Sequence, residues 1–189
     1  MIESSLIYWL FCYIIGNFMT AYVVGKMNHV DLRLENSRNL GARNAGRVLG
    51  RWAFIVTLLG DALKGGLVIG LGRSMGFEQW VLAGGLFFVI VGHLYPFWLK
   101  FHGGKGVATF IGAGLCLEPS LFLWMISGSI LLLLIVRSLT VCMLGGFTLY
   151  IAGMVWEGSL MAHCGVVLSI CLIIWKHRRN FWHIMGQQK

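Results

Sequence analysis

Residues 92–115 read GHLYPFWLKFHGGKGVATFIGAGL, and how this stretch is divided decides the fold. Its first part closes an apolar run at 79–98, a basic, glycine-rich turn follows, and a second apolar run opens at Val107. That second run, 107–118, is short against the ~20 residues a helix needs to cross ~30 Å of hydrocarbon. Counting it as a crossing gives seven apolar segments, at 5–25, 52–71, 79–98, 107–118, 120–136, 138–156 and 160–175. Lys26, Arg33, Arg38, Arg43, Arg47, Arg51, Lys100, Lys105, Arg137, Lys176, Arg178, Arg179 and Lys189 then share one side. Arg73 alone faces the other side, and Lys64 lies within the second segment. By the positive-inside rule the amino terminus is outside and the carboxyl terminus cytoplasmic. The acidic residues agree: Glu3, Glu78, Glu118 and Glu157 all fall outside. Dropping the short segment would expose Arg137, Lys176 and the tail to the outer side, so seven is the better count.

The rest of the composition fits this division. Charged residues make up 12% of the 189-residue chain, about half the ~25% of soluble domains, and the mean hydropathy is +0.79. Backbone polar groups in lipid must be satisfied internally, so the apolar segments read as helices. The expectation is an all-α membrane protein of about seven transmembrane helices, with 1–189 as a single integral membrane domain. The first apolar run, Leu6 to Val24, follows Glu3 rather than a basic region and leads to no small-residue cleavage site, so it reads as a retained helix. Cys12, Cys116, Cys142, Cys164 and Cys171 show no paired metal-site spacing and read as buried small hydrophobes. The net charge of +8 is strung between apolar segments. That pattern points to anionic lipid headgroups or a phosphorylated substrate, and away from nucleic acid.

Three segments on the basic side could carry chemistry. In the first inner loop, Gly41, Gly46 and Gly50 permit close ligand approach, while Ser37, Asn39, Asn44, Arg43 and Arg47 offer groups suited to phosphate oxygens. Taken alone, this loop reads more readily as a headgroup contact. In the turn, Gly103, Gly104 and Gly106 surround Lys105 where a helix begins, which is a natural anion site. A glycine turn between packed helices is the alternative. The spacing is not that of a nucleotide-binding P-loop, because Gly106 stands where Ser or Thr is needed. The tail, WKHRRNFWHIMGQQK, adds His177 and Asn180 to basic anchors. Asp61 and Lys64, three residues apart within an apolar run, either pair with each other or face a site. No HxxxxD motif, GxSxG elbow or histidine-rich cluster occurs.

In this order the segments resemble the bacterial acyl-phosphate:glycerol-3-phosphate acyltransferases, the small membrane family called PlsY. The resemblance spans nearly the whole chain and is strongest over GHLYPFWLKFHGGKGVAT, with DALKG at 61–65 and KHRRN leading to Asn180. The loop matches at Ser37, Asn39, Gly41, Ala42, Asn44, Arg47 and Gly50. The resemblance implies seven helices in a bacterial inner membrane and a cytoplasmic-face active site. It also implies transfer of a fatty acyl group from acyl phosphate to glycerol 3-phosphate, giving lysophosphatidic acid and phosphate, the first step of phospholipid synthesis. By position, Ser37, Arg47, Lys105 and Asn180 are then catalytic. Asn39, Gly41, Asn44, Gly103, Gly104, Gly106 and His177 bind substrate, with the glycine turn cradling a phosphate. No metal or cofactor is expected, membrane lipids are the surroundings, and a monomer is the working assembly.

Where the family usually reads GSGNxGATN, this chain reads NSRNLGARN: Asn36 and Arg38 replace glycines and Arg43 replaces threonine. Gly16 to Met19 stand in place of GSIP, and the tail lacks the family's usual closing Arg and Glu, with His183 and Gln187 nearby instead. The rival readings are a same-fold paralogue with another acceptor or no activity, and a small phosphate or anion transporter.

Overall fold

The computed structural model describes the backbone of residues 2–136 and 138–186, and side chains through Arg178. All regular structure among the described residues is helical. In chain order the helices are α1 (Ile2–Gly16), α2 (Thr20–Met27), α3 (Ala42–Leu49), α4 (Arg51–Ser74), α5 (Gln79–Leu94), α6 (Val107–Leu117), α7 (Pro119–Ile135), α8 (Leu139–Trp156) and α9 (Cys164–Gly186), with one 3-10 turn at Phe97–Leu99. Each of the seven apolar segments is therefore helical. Ile2–Met27, Arg51–Ser74, Gln79–Leu99 and Leu139–Trp156 are long and apolar enough to cross a membrane, whereas Val107–Leu117 and Pro119–Ile135 are shorter. Glu118 and Pro119 separate those two: the proline occupies the first turn of α7, where its missing N–H does no harm.

The first segment is two helices, because 17–19 break between α1 and α2. Free carbonyls in an apolar bundle must find donors, and here they do. Lys64 of α4 donates to Gly16 O (3.2 Å) and Phe18 O (2.5 Å), and Trp98 Nε1 donates to Asn17 O at 3.0 Å. The Asn17 side chain accepts the Phe97 N–H at 2.9 Å, which ties the break to the 3-10 turn.

Close packing fixes the bundle. On α4 and α6, a Cβ at Gly65 would collide with Thr109 O, and one at Gly112 with Ala62 O, so the two backbones approach as only glycine allows. Gly112→Val should therefore force the pair apart, costing about 3 kcal/mol and roughly 10 °C of Tm. A thermal melt of the purified protein checks this, and an unchanged Tm would refute the packing role.

The main core joins α1 with α4 through α9, around Phe110, Leu86, Ile90 and Tyr150. A smaller cluster lies under the first inner loop, where Leu32 and Leu40 are buried against Met19, Val24, Ala45, Ala53 and Leu99. Two sequence expectations change here. The inner loop contains a helix, α3, held by Ala45 and by the partly buried Val48 and Leu49. Of the cysteines only Cys12 and Cys142 are buried, while Cys116, Cys164 and Cys171 lie on the outer surface of the bundle. An apolar outer surface suits lipid, so apolar character there does not imply burial within the protein.

Candidate active site

The first wall of the site is the loop that Leu32 and Leu40 pin down. Asn44, on α3 and 1% exposed, holds it together. Its Nδ2 donates to Leu32 O (2.9 Å) and Glu35 O (3.2 Å). Its Oδ1 accepts both the Ser37 N–H (3.1 Å) and the Ser37 hydroxyl (3.0 Å). Asn44 thus shapes the loop with its whole amide and orients Ser37. With its proton directed to Asn44, the Ser37 hydroxyl presents an acceptor oxygen to anything else it meets. Asn36 (φ +47°) and Arg38 (φ +56°), on either side of Ser37, are both in the left-handed region. Both stand where the family pattern has glycine, in a backbone region that glycine adopts freely, asparagine tolerates and arginine disfavours. Arg38 is exposed and does not line the cavity described below. Asp31 is bound to Arg33 at 2.7 Å, and that guanidinium holds its carboxyl down at about 2, which removes it as a base near neutrality.

The second wall is the turn between α5 and α6. Gly103 N–H donates to Leu94 O and Gly104 N–H to His93 O, each at 3.1 Å, and a Cβ at either glycine would collide with His93. These two glycines lock the turn beneath the end of α5, and their amides are already engaged. Gly106 (φ +84°) is the residue that turns the chain into α6. Gly106, Val107 and Ala108 line the cavity, so the turn meets it at the start of α6, past the Gly103–Gly104 pair, where the first helical N–H groups have no intrahelical partner. Lys105 is half-buried between them; burial, and then the nearby charge of Arg43, lower its pKa. Lys176 closes the turn from α9, its Nζ 4.2 Å from the Tyr95 ring centre and donating to Leu94 O at 3.4 Å.

His177 sits just past the apolar part of α9 and is buried. Its Nδ1–H donates to Ile173 O at 2.8 Å, which leaves Nε2 as the acceptor. Burial, followed by the charges of Lys105 and Arg43, lowers its pKa, so the neutral ring persists below the usual histidine range. The side chains of Asn180 and His183, and residue Gln187, lie outside the described residues.

One cavity of about 890 Å³ joins these walls. It is lined by Ser37, Asn39, Gly41, Asn44, Arg47, Lys105, Gly106 and His177 of the residues expected from sequence, and Gly103 and Gly104 are not among its lining residues. Arg43 joins them, so three cations face one space. The rest of the lining is mostly apolar, with Phe54, Leu58, Ile111, Met125, Met143 and Phe147 contributed by α4, α6, α7 and α8 and the hydroxyls of Ser129, Ser138 and Thr140 among them. Sequence reasoning missed this slot, because its residues are scattered among segments that are apolar throughout. It also missed His93, which lines the cavity beside Asp61. Asp61 and Lys64 do pair, at 3.1 Å, but within a larger buried group: the Thr20 hydroxyl donates to Asp61 Oδ1 at 3.1 Å, and Lys64 Nζ lies 2.7 Å from His93 Nδ1.

Comparison with known proteins places this geometry in context. A family model described as glycerol-3-phosphate acyltransferase matches residues 6–187. Glycerol-3-phosphate acyltransferase 1 of Bacillus thuringiensis is 41% identical over 142 residues, 74% of this chain and 78% of that protein. The glycerol-3-phosphate acyltransferase of Thermus thermophilus is 34% identical over 172 residues, 90% of this chain and 86% of that protein. The crystal structure of PlsY, an integral membrane glycerol 3-phosphate acyltransferase, in its glycerol 3-phosphate form superposes with a TM-score of 0.89 at 28% identity. That match covers 98% of this chain and 94% of the other. The lysophosphatidic acid form gives 0.87 at 27%, with the same coverage.

Proposed function

Because this chain belongs to the glycerol-3-phosphate acyltransferase family, we propose that its cavity joins an acyl phosphate to glycerol 3-phosphate at the cytoplasmic face of a seven-span bundle. It is a membrane acyltransferase that acylates glycerol 3-phosphate. The donor, the orientation and the residue roles are the proposal. The observation that carries it is a single cavity with a cationic end and an apolar end. An acyl phosphate has the same division, a dianionic head on a hydrocarbon chain, and a phosphate transporter would have no use for the apolar slot.

In this reading Lys105 and the first amides of α6 hold the donor's phosphate, and its chain lies among Ile111, Met125 and Phe147. Arg47, Asn39 and the start of α3 at Gly41 hold glycerol 3-phosphate. The sn-1 hydroxyl, set beside Ser37 with its proton directed to the donor phosphate, is thereby aligned with the acyl carbon. Its oxygen forms the new ester bond as the bond from acyl carbon to phosphate oxygen breaks. The donor is already an activated mixed anhydride, so positioning and charge stabilisation on the departing phosphate suffice. The hydroxyl proton passes to a phosphate oxygen of the donor, and the products are lysophosphatidic acid and inorganic phosphate. The thirteen-to-one distribution of basic residues supports the orientation.

The competing base is His177, and pH separates the two. A neutral histidine acting as base gives a rate that falls as pH drops through its lowered pKa. Removing the Arg43 charge raises that pKa, so Arg43→Gln would move the acid limb to higher pH, and His177→Ala would abolish it. The expected result is a pH–rate profile whose acid limb persists in His177→Ala. A limb that obeys both would transfer the base role to His177. The reaction itself is tested by incubating purified protein with palmitoyl phosphate and glycerol 3-phosphate, then measuring lysophosphatidic acid.

A further inference from the structure

Lys64 Nζ lies within hydrogen-bond distance of three oxygen acceptors, Asp61 Oδ1, Gly16 O and Phe18 O, and of His93 Nδ1. An ammonium has donors alone to offer such a set. His93 Nδ1 must therefore accept, at 2.7 Å, and the ring proton resides on Nε2. Asp61 Oδ1, 3.8 Å from the same nitrogen, completes the arrangement on that side. The other edge of the ring faces the turn: a Cβ at Gly104 would strike His93 Nε2, and Gly104 N–H donates to the backbone carbonyl of His93. His93 lines the cavity together with Lys105 and Gly106.

We propose that His93 is a further catalytic residue, a fixed neutral donor whose Nε2–H binds a phosphate oxygen of the acyl donor at the turn that presents Lys105. Asp61 and Lys64 position it by fixing its tautomer. This rests on the proposed placement of the donor phosphate at that turn. A donor whose proton location is set before substrate arrives needs no reorganisation as charge gathers on the departing phosphate. The absence of a side chain at Gly104 leaves room for the ring edge, a second purpose for that glycine besides the turn.

Two substitutions separate donation from packing. His93→Asn keeps an acceptor within reach of Lys64 but removes the distal N–H, whereas His93→Gln restores a donor near the position of Nε2. The expected result is that His93→Asn folds and lowers kcat/KM for acyl phosphate about 10- to 100-fold, changes KM for glycerol 3-phosphate less than about threefold, and that His93→Gln recovers most of the loss. A His93→Asn enzyme with normal kinetics, or a His93→Gln enzyme as impaired as His93→Asn, overturns the assignment. Should His93→Asn not fold, [15N]histidine-labelled wild-type protein in nanodiscs decides: Nε2 is protonated, Nδ1 is not, and inorganic phosphate shifts the Nε2–H signal. A proton on Nδ1, or no shift at saturating phosphate, overturns it. The phosphate titration reads His93 even if the wild type fails to acylate glycerol 3-phosphate, so the two readings fail separately.

Discussion

Lys105→Ala should lower kcat/KM for acyl transfer by about three orders of magnitude, the upper end of what removing one positioned donor costs, in a protein that remains folded and membrane-inserted. Lys105 lines the cavity at the start of α6, between Gly104, which locks the turn, and Gly106, which begins the helix. Its burial is incomplete, so truncation to alanine leaves no enclosed void and stability should hardly move. The activity loss follows from the proposed placement of the donor, in which Lys105 and the start of α6 meet the departing phosphate as it gathers charge. Lys105→Arg, with its longer and planar head, should recover part of the rate. Near-normal turnover by Lys105→Ala would reduce the turn to a packing element.

The second large effect belongs to Asn44, and it should appear in stability and rate together. Asn44→Ala removes four hydrogen bonds at once, leaving Leu32 O, Glu35 O and the Ser37 N–H without their partner. Leaving such groups unsatisfied costs about 1–3 kcal/mol each when buried. The loop at 28–41 should therefore open to proteolysis, and kcat/KM should fall about 100-fold as Ser37 loses its placement. Asn44→Asp is the sharper test. It keeps the acceptor for Ser37 but sets a carboxylate against the carbonyls of Leu32 and Glu35, so it should be as harmful as alanine. Wild-type proteolytic resistance in Asn44→Asp would show that the amide is not the fastener.

The same residue marks where sequence reading stops. The pattern NSRNLGARN shows that Asn44 carries a donor and an acceptor, but not that all of its capacity faces inward to the loop. Which way an amide points depends on Leu32 and Leu40 being buried beneath it, and two leucines in a polar stretch leave no periodic trace. α3 was hidden for a related reason: its eight residues include Gly46 and two arginines and are bounded by Gly41 and Gly50, a composition that reads as loop. By contrast the short helix α6 was legible, because the signs of the charges around it fixed its existence where its length could not. The partnership of Asp61 and Lys64 was visible from their spacing along one helix. His93, 29 residues further on, joins them only through the packing of α5 on α4. Within the glycine turn, composition led to the expectation of an anion site but could not say which residues border the cavity. Backbone hydrogen bonds engage the Gly103 and Gly104 amides, while Lys105, Gly106, Val107 and Ala108 line the cavity.

The replacement of two glycines by Asn36 and Arg38 is also clarified by geometry. Both hold a left-handed backbone that glycine adopts freely, so the path around Ser37 does not depend on glycine at these two positions. The Arg38 side chain is exposed and does not line the cavity. Arg43, which replaces threonine, does line it and places a third cation near Lys105 and His177.

The most direct test of a single cavity gripping both phosphorylated reactants is to follow phosphate release and lysophosphatidic acid together, from palmitoyl phosphate and the purified protein in bilayers, with and without glycerol 3-phosphate. One phosphate released per lysophosphatidic acid formed, and release that stops when glycerol 3-phosphate is withheld, is the expected result. Phosphate release that ignores glycerol 3-phosphate, or no lysophosphatidic acid under conditions in which the Thermus thermophilus relative turns over, would contradict it.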